Sequence, residues 1–268
     1  MNPAARELYA SIAVALARVD DPRVSDKGIH EARKALKKAR AALRLLRPGL
    51  EPAAYRAENA LLRDAGRALA PLREARSLLD APGALRARDR AALPRATLER
   101  LIRELREEKR RVSRDREARQ AAIGICLRLL RRSLARAQQP DFAAMGAKPL
   151  SKGMRRIYRK GRRALAEART RPSPEALHEW RKQAKYLLNA LETLYGARKG
   201  RTGKAARRLR RLAERLGDDH DLDALARHVR RPGLLQAAIM RRRAGLQKKA
   251  FALGRKLYRG KAKRFPAP

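Results

Sequence analysis

Apolar residues recur along this chain every three or four positions, with Arg and Lys filling the intervals. That is a helical period. At about 100° per residue, Ile29, Ala32, Leu36, Ala39, Leu43 and Leu46 fall on one side of a helix. Leu177, Trp180, Ala184, Leu187, Leu191 and Leu194 do the same further on, with Trp180 at the centre of the apolar face, where core packing is expected. No segment alternates convincingly with a period of two, and Val, Ile and Thr are sparse beside Ala, Leu, Arg, Lys and Glu. Clusters of Pro, Gly and Asp predict breaks at Asp20–Gly28, Pro48–Pro52, Ala81–Gly83, Pro140–Pro149, Thr170–Pro174, Gly196–Gly203 and Arg231–Gly233. The helices between them, about 10 to 25 residues each, suit antiparallel bundles joined by short loops. The expected fold class is all-α.

The polar side of the pattern carries a repeat. His30-Glu31-Ala32-Arg33-Lys34-Ala35-Leu36-Lys37 and His178-Glu179-Trp180-Arg181-Lys182-Gln183-Ala184-Lys185 share the form H-E-x-R-K-x-x-K, and they use two of only 4 histidines. A half-length unit therefore reads as duplicated. Pro140–Pro149 lies between the copies and lacks an amphipathic period, so it divides an N-terminal half (about 7–140) from a C-terminal half (about 150–259). Duplicated halves pack face to face, so one domain over 7–259 made of two pseudo-symmetric bundles is expected, followed by a basic tail at 260–268.

Charge turns the repeat into a candidate site. The chain of 268 residues has 69 Lys and Arg against 27 Asp and Glu, a net charge of +42, which calls for polyanionic partners. With 44% hydrophobic residues at helical spacing, this is a folded chain and not a basic tail. His30, Arg33, Lys34, Lys37, Arg40 and Arg44 share one side of the first helix, and Glu31 is the sole acid among them. His178, Arg181, Lys182 and Lys185 repeat the arrangement. A solvated face mixes signs for i,i+4 pairing, so the stripe reads as functional. Arg155, Arg159, Arg162 and Arg163, in a tract that also holds Arg156 and Lys160, extend the basic surface upstream of the second copy. Arg207, Arg208 and Arg211 extend it downstream. Histidines among cations are expected to be neutral N–H donors near pH 7.

A second element repeats at near-equal distance after each motif: Leu69-Ala70-Pro71-Leu72-Arg73-Glu74-Ala75-Arg76, then Leu216-Gly217-Asp218-Asp219-His220-Asp221-Leu222-Asp223. Arg73 and Arg76 join the candidate binding residues. The later copy predicts a helix ending at Gly217 and a new one capped by Asp218, with Asp221 at N3. Its acids match no EF-hand, and position i+4 from each repeated His is Lys, which excludes H-E-x-x-H. Capping and salt bridges are expected there, with no metal and no cofactor. Cys126, in an apolar run, is expected to be a buried, inert thiol in a reducing compartment. No window approaches a membrane span, and Leu8–Ala17 is short, follows Glu7 and lacks a charged n-region, so a soluble cytoplasmic protein is expected. No nucleophile elbow, P-loop, G-x-G-x-x-G or C-x-x-C pair occurs, and nothing argues for an enzyme.

These residues resemble the CHAD family, the conserved-histidine α-helical domain. Lys37, Lys38 and Arg40 match the basic positions after its first H-x-x-R. Leu177, His178, Arg181, Lys182, Lys185, Leu187 and Glu192 match its second motif, with Leu188 and Asn189 where the family has Arg-Tyr. Leu216, Gly217 and Asp221 match its L-G-x-x-x-D element, of which Leu69, Ala70 and Glu74 are a weakened copy. The similarity runs from about Glu7 to about Arg259. It implies two bundles around a basic cavity, binding of inorganic polyphosphate, and often targeting to polyphosphate granules. With no E-x-E-x-K motif, the chain is similar to the stand-alone members that lack a CYTH domain. Two other readings compete. A nucleic-acid or ribosome-associated protein fits the charge but not the scarce aromatics, and a phosphohydrolase would use the acids of Asp218–Asp223.

Overall fold

A computed structural model of the chain describes residues 1–21, 23–72, 95–138, 142, 145–196, 200–229, 233–262 and 265. All regular structure among them is helical: α1 (Pro3–Val19), α2 (Asp26–Leu46), a 3-10 turn (Arg47–Gly49), α3 (Pro52–Ala68), α4 (Arg95–Arg114), α5 (Arg116–Ala137), α6 (Ala147–Thr170), α7 (Pro174–Tyr195), α8 (Gly200–Ala226) and α9 (Leu234–Leu257). The expected all-α class holds. The Ala81–Gly83 break lies outside the described residues.

Local chemistry sets the ends. The Oγ of Ser25 accepts from the Gly28 N–H at 3.1 Å to start α2, and Ser173 does the same for Ala176 in α7, with Pro174 in its first turn. Asp115 caps α5 by accepting from Ala118 N–H at 2.9 Å, a break the Pro/Gly pattern does not reveal. At Gly217 the sequence expectation is wrong: α8 runs straight through it to Ala226. Among the described glycines only Gly196 and Gly200 have positive φ, so Gly217 cannot be a left-handed helix stop.

Each half builds a ring of four helices. In the first, α1 packs on α2, α2 on α3, α3 on α5, and α5 on α1. In the second, α6 packs on α7, α7 on α8, α8 on α9, and α9 on α6. Both rings fasten their third helix to their fourth with a buried acid. Glu58 of α3, fully buried, accepts from the Ser133 hydroxyl and faces Arg136 on α5. Asp219 of α8 accepts from Arg243 Nε at 3.1 Å and from Gln247 at 2.9 Å, both on α9.

The rings meet where α2 lies against α6 and α7. Gly153 of α6 makes this approach possible: a Cβ there would stand 2.2 Å from the Leu45 carbonyl oxygen of α2. One apolar core runs from Ala4 to Phe265 through both halves. The helix α4 belongs to neither ring, and its Leu101 and Leu105 pack on Leu222, Leu225, Leu235, Ile239 and Leu246 of α8 and α9.

Candidate functional site

The seam between α2 and α7 brings the two motif copies together. On α7, the His178 ring lies 4.5 Å from that of His220 on α8. Burial, then the His220 and Arg181 charges, push His178 down to about 4, so it is neutral near pH 7, as expected. His220 is lowered as well, chiefly by burial and then by Arg181. The His178 Nδ1 is buried without a hydrogen-bond partner among the described residues.

Arg181 explains Gly217. A Cβ on that glycine would stand 3.2 Å from one Arg181 terminal nitrogen, so the missing side chain is what admits the guanidinium against α8. Burial lowers the Arg181 pKa and the Asp221 and Asp218 carboxylates raise it, yet a guanidinium stays charged throughout. Its counterpart Arg33 donates to the Gly66 carbonyl of α3 at 2.6 Å. The two motif arginines thus lie against different helices, one in each half. Lys185 is lowered by burial and by the charges of Arg181 and, across the seam, Lys34. The motif glutamates serve neighbours: Glu31 pairs with Arg18 at 2.8 Å, and Glu179 holds Lys182 and Gln183.

Further along α2, cations crowd around two tyrosines. The Arg44 guanidinium carbon lies 3.8 Å from the Tyr186 ring centroid and that of Arg40 lies 5.8 Å from it. Arg47 lies 4.5 Å from the centroid of Tyr55. Lys160 of α6 is lowered by burial and then by Arg44, Arg156 and Arg47, and Arg156 by burial and then by Arg47. Arg40 is lowered chiefly by burial, with Arg44 and Arg63 adding repulsion. The result is a band of cations from α2, α3, α6 and α7 with few carboxylates.

The predicted residues divide accordingly. His30, Lys34 and Lys37 are exposed on α2, and Arg33, Arg40 and Arg44 are partly buried there. Arg155 is half-buried on α6, and Arg159 is exposed beside Arg156. Arg162, Arg163, Arg207, Arg208 and Arg211 are exposed on α6 and α8, and among the described residues no hydrogen bond or ion pair links them to the band. Arg73 and Arg76 lie outside the described residues. Sequence reasoning missed Tyr55, Tyr186, Arg47 and Arg63. Tyr186 follows Lys185 directly, but nothing in a helical projection says that an aromatic at the edge of the apolar face will carry arginines from another helix.

The expected salt bridges of the acidic element are present. Arg243 reaches Asp223 at 2.7 Å as well as Asp219, and Arg227 reaches Asp223 at 2.8 Å. The capping role expected of Asp218 is replaced by a helix interior, because Gly217 is helical and the acids pair with α9. Cys126 is buried, and burial pushes its thiol up to about 12. Trp180 is fully buried and stacks on Phe251 with centroids 5.3 Å apart.

Among the described residues no helix is long and apolar enough to cross a membrane. No curated protein matches the sequence. A solved structure described as PptA from Streptomyces chartreusis is similar in fold, with a TM-score of 0.64 over 96% of this chain and 96% of its own at 17% identity. The family model of the CHAD domain matches residues 4–230, and with the two H-E-x-R-K-x-x-K helices joined at one seam, this chain belongs to the CHAD family.

Proposed function

We propose that this protein binds inorganic polyphosphate along the α2/α7 seam and does not catalyse its turnover. The observation that carries this reading is the crowding of same-sign charge. Lys34, Lys185, Arg40, Arg44, Arg156 and Lys160 come from three helices and depress one another. Such a cluster opposes its own assembly, and phosphate oxygens relieve the repulsion. Guanidinia held flat on Tyr186 and Tyr55 keep their N–H edges ready for oxygens at little entropic cost. The seam and its flanking arginines form the walls of the basic cavity that the family resemblance implies. Family membership adds polyphosphate as the polyanion, in the cytoplasm and at polyphosphate granules. Nucleic acid is the weaker partner, because the tyrosines at this band are covered by arginines and offer bases no stacking face.

The test is a salt-titrated competition between long-chain polyphosphate and DNA of equal charge. In salt of about 150 mM, roughly physiological, polyphosphate is expected to win, and equal or tighter DNA binding overturns the reading. A variant carrying Lys34→Glu, Arg44→Glu, Lys160→Glu and Lys185→Glu is expected to lose polyphosphate. Undiminished binding in that variant refutes the seam as the site. A hydrolytic role predicts divalent-metal-dependent phosphate release, for which this reading expects none.

A further inference from the structure

Asp223 is the last acidic side chain of the sequence, and the stretch 224–268 holds Arg, Lys and one His but no Asp or Glu. The helix α9 falls within it. One side of α9 is buried through Leu235, Ile239, Arg243, Leu246, Ala250 and Leu257. The other side exposes Arg241, Lys248, Lys249, Arg255 and Lys256, with Ala244 and Gly245 between them. At 3.6 residues per turn, those five cations fall within about 120° of one face and span about 22 Å along the axis. An ordinary solvated helix mixes signs so that i,i+4 partners attract. This one has no acid with which to do so.

The face is also separate from the seam. The ring order places α2 against α6 and α7, whereas α9 packs on α8 and α6. Along α2, the candidate site from Lys34 to Arg47 covers about 20 Å at 1.5 Å per residue. A long phosphate chain overruns such a length. The overhang keeps its charge and needs a second cationic track.

We propose that the outer face of α9 is a second polyphosphate-binding face, which holds the part of a long chain that extends beyond the α2/α7 seam. This rests on the polyphosphate reading of the seam. The face fits a linear phosphate chain better than a nucleic acid. It is one helix wide, it offers no aromatic for a base to stack on, and its partly buried Gln247 is engaged by Asp219. Small residues between the cations let a chain lie close to the helix.

The experiment uses the full chain and three proteins: the parent, Arg241→Gln/Lys248→Gln/Lys249→Gln/Arg255→Gln/Lys256→Gln on α9, and a charge-matched control. The control carries Arg103→Gln/Arg106→Gln/Arg110→Gln on α4 and Arg128→Gln/Arg132→Gln on α5, all exposed. Each is titrated with long-chain polyphosphate and with tripolyphosphate over a salt series. The α9 variant is expected to bind long chains at least tenfold more weakly. Its salt slope should be shallower by about 3, from ~0.7 per released contact in a single-stranded polyanion. It should bind tripolyphosphate as the parent does, and the control should match the parent on both ligands. Long-chain affinity of the α9 variant within threefold of the parent overturns the inference, as does an equal loss in the control. If the seam variant binds undiminished while the α9 variant loses long chains, the seam reading fails and the α9 face stands.

Discussion

The guanidinium carbon of Arg44 lies 3.8 Å from the ring centroid of Tyr186, so a cation of α2 rests on an aromatic ring of α7. The contact joins the two halves at the band and fixes the plane of the guanidinium. Stacks of this kind contribute about 0.5–2 kcal/mol depending on exposure. Tyr186→Leu is therefore expected to weaken polyphosphate binding roughly threefold to tenfold at fixed salt, while leaving the helical circular dichroism unchanged. Tyr186→Phe keeps the ring and should bind as the parent does. Equal loss in both variants would assign the effect to the hydroxyl instead.

His178 makes the unliganded protein sensitive to acid. Its pKa falls from the usual 6.5 to about 4 on folding, chiefly through burial. The unfolded chain therefore binds the proton first, so this contribution to stability is complete above 6.5 and is lost as pH falls toward 4. After discounting for partial exposure, about 1 kcal/mol should disappear between pH 7 and pH 5. His220 is shifted in the same direction and adds to the slope. Thermal melts across that range measure the loss, and His178→Asn is expected to flatten the curve. With polyphosphate bound the sign reverses, because phosphate stabilises the imidazolium, and affinity should rise as pH falls.

Gly153 is the point of closest approach between α2 and α6. Ala at this position places its methyl 2.2 Å from the Leu45 carbonyl oxygen and 2.8 Å from its carbonyl carbon, backbone atoms that cannot rotate away. Gly153→Ala should cost about 3 kcal/mol despite the better helix propensity of Ala. At Gly245, a Cβ meets nothing within 4 Å, so Gly245→Ala should gain up to ~1 kcal/mol. Denaturant midpoints of the two variants should move in opposite directions.

Arg243 is the guanidinium that holds both Asp219 and Asp223, at 3.1 and 2.7 Å. Removing it strands two buried carboxylates. Arg243→Ala is expected to destabilise the fold by about 3–5 kcal/mol. Adding Asp219→Asn and Asp223→Asn should restore a good part of that, since the neutral amides need no counter-charge. Absence of any rescue would assign the cost to lost packing by the arginine stem.

The readable part of this protein is its one-dimensional order. Helical period, capping serines and the doubled motif place α2 and α7, bury Trp180 and Leu187, and point the motif lysines outward. Pairing between elements is less legible. The motif arginines look equivalent in sequence, yet Arg33 bonds a carbonyl of α3 while Arg181 fills a notch made by Gly217 on α8. A glycine before an aspartate pair resembles a helix end, and only the guanidinium packed upon it shows that it is a seat. The Arg–Tyr stacks were unreadable for a similar reason: each joins residues far apart in sequence, through a choice of neighbours made by the ring order.

Trp180 adds a practical consequence. The chain's single tryptophan precedes Arg181 in sequence yet points the other way, fully buried against Phe251. Its indole is shielded from water and from anything that docks on the cationic side. Intrinsic fluorescence thus watches the core alone: a polyanion titration should leave its emission maximum in place, and a red shift marks loss of the fold. The protein carries its own internal control, one that separates genuine binding from the precipitation and unfolding that polyanions readily induce in very basic chains.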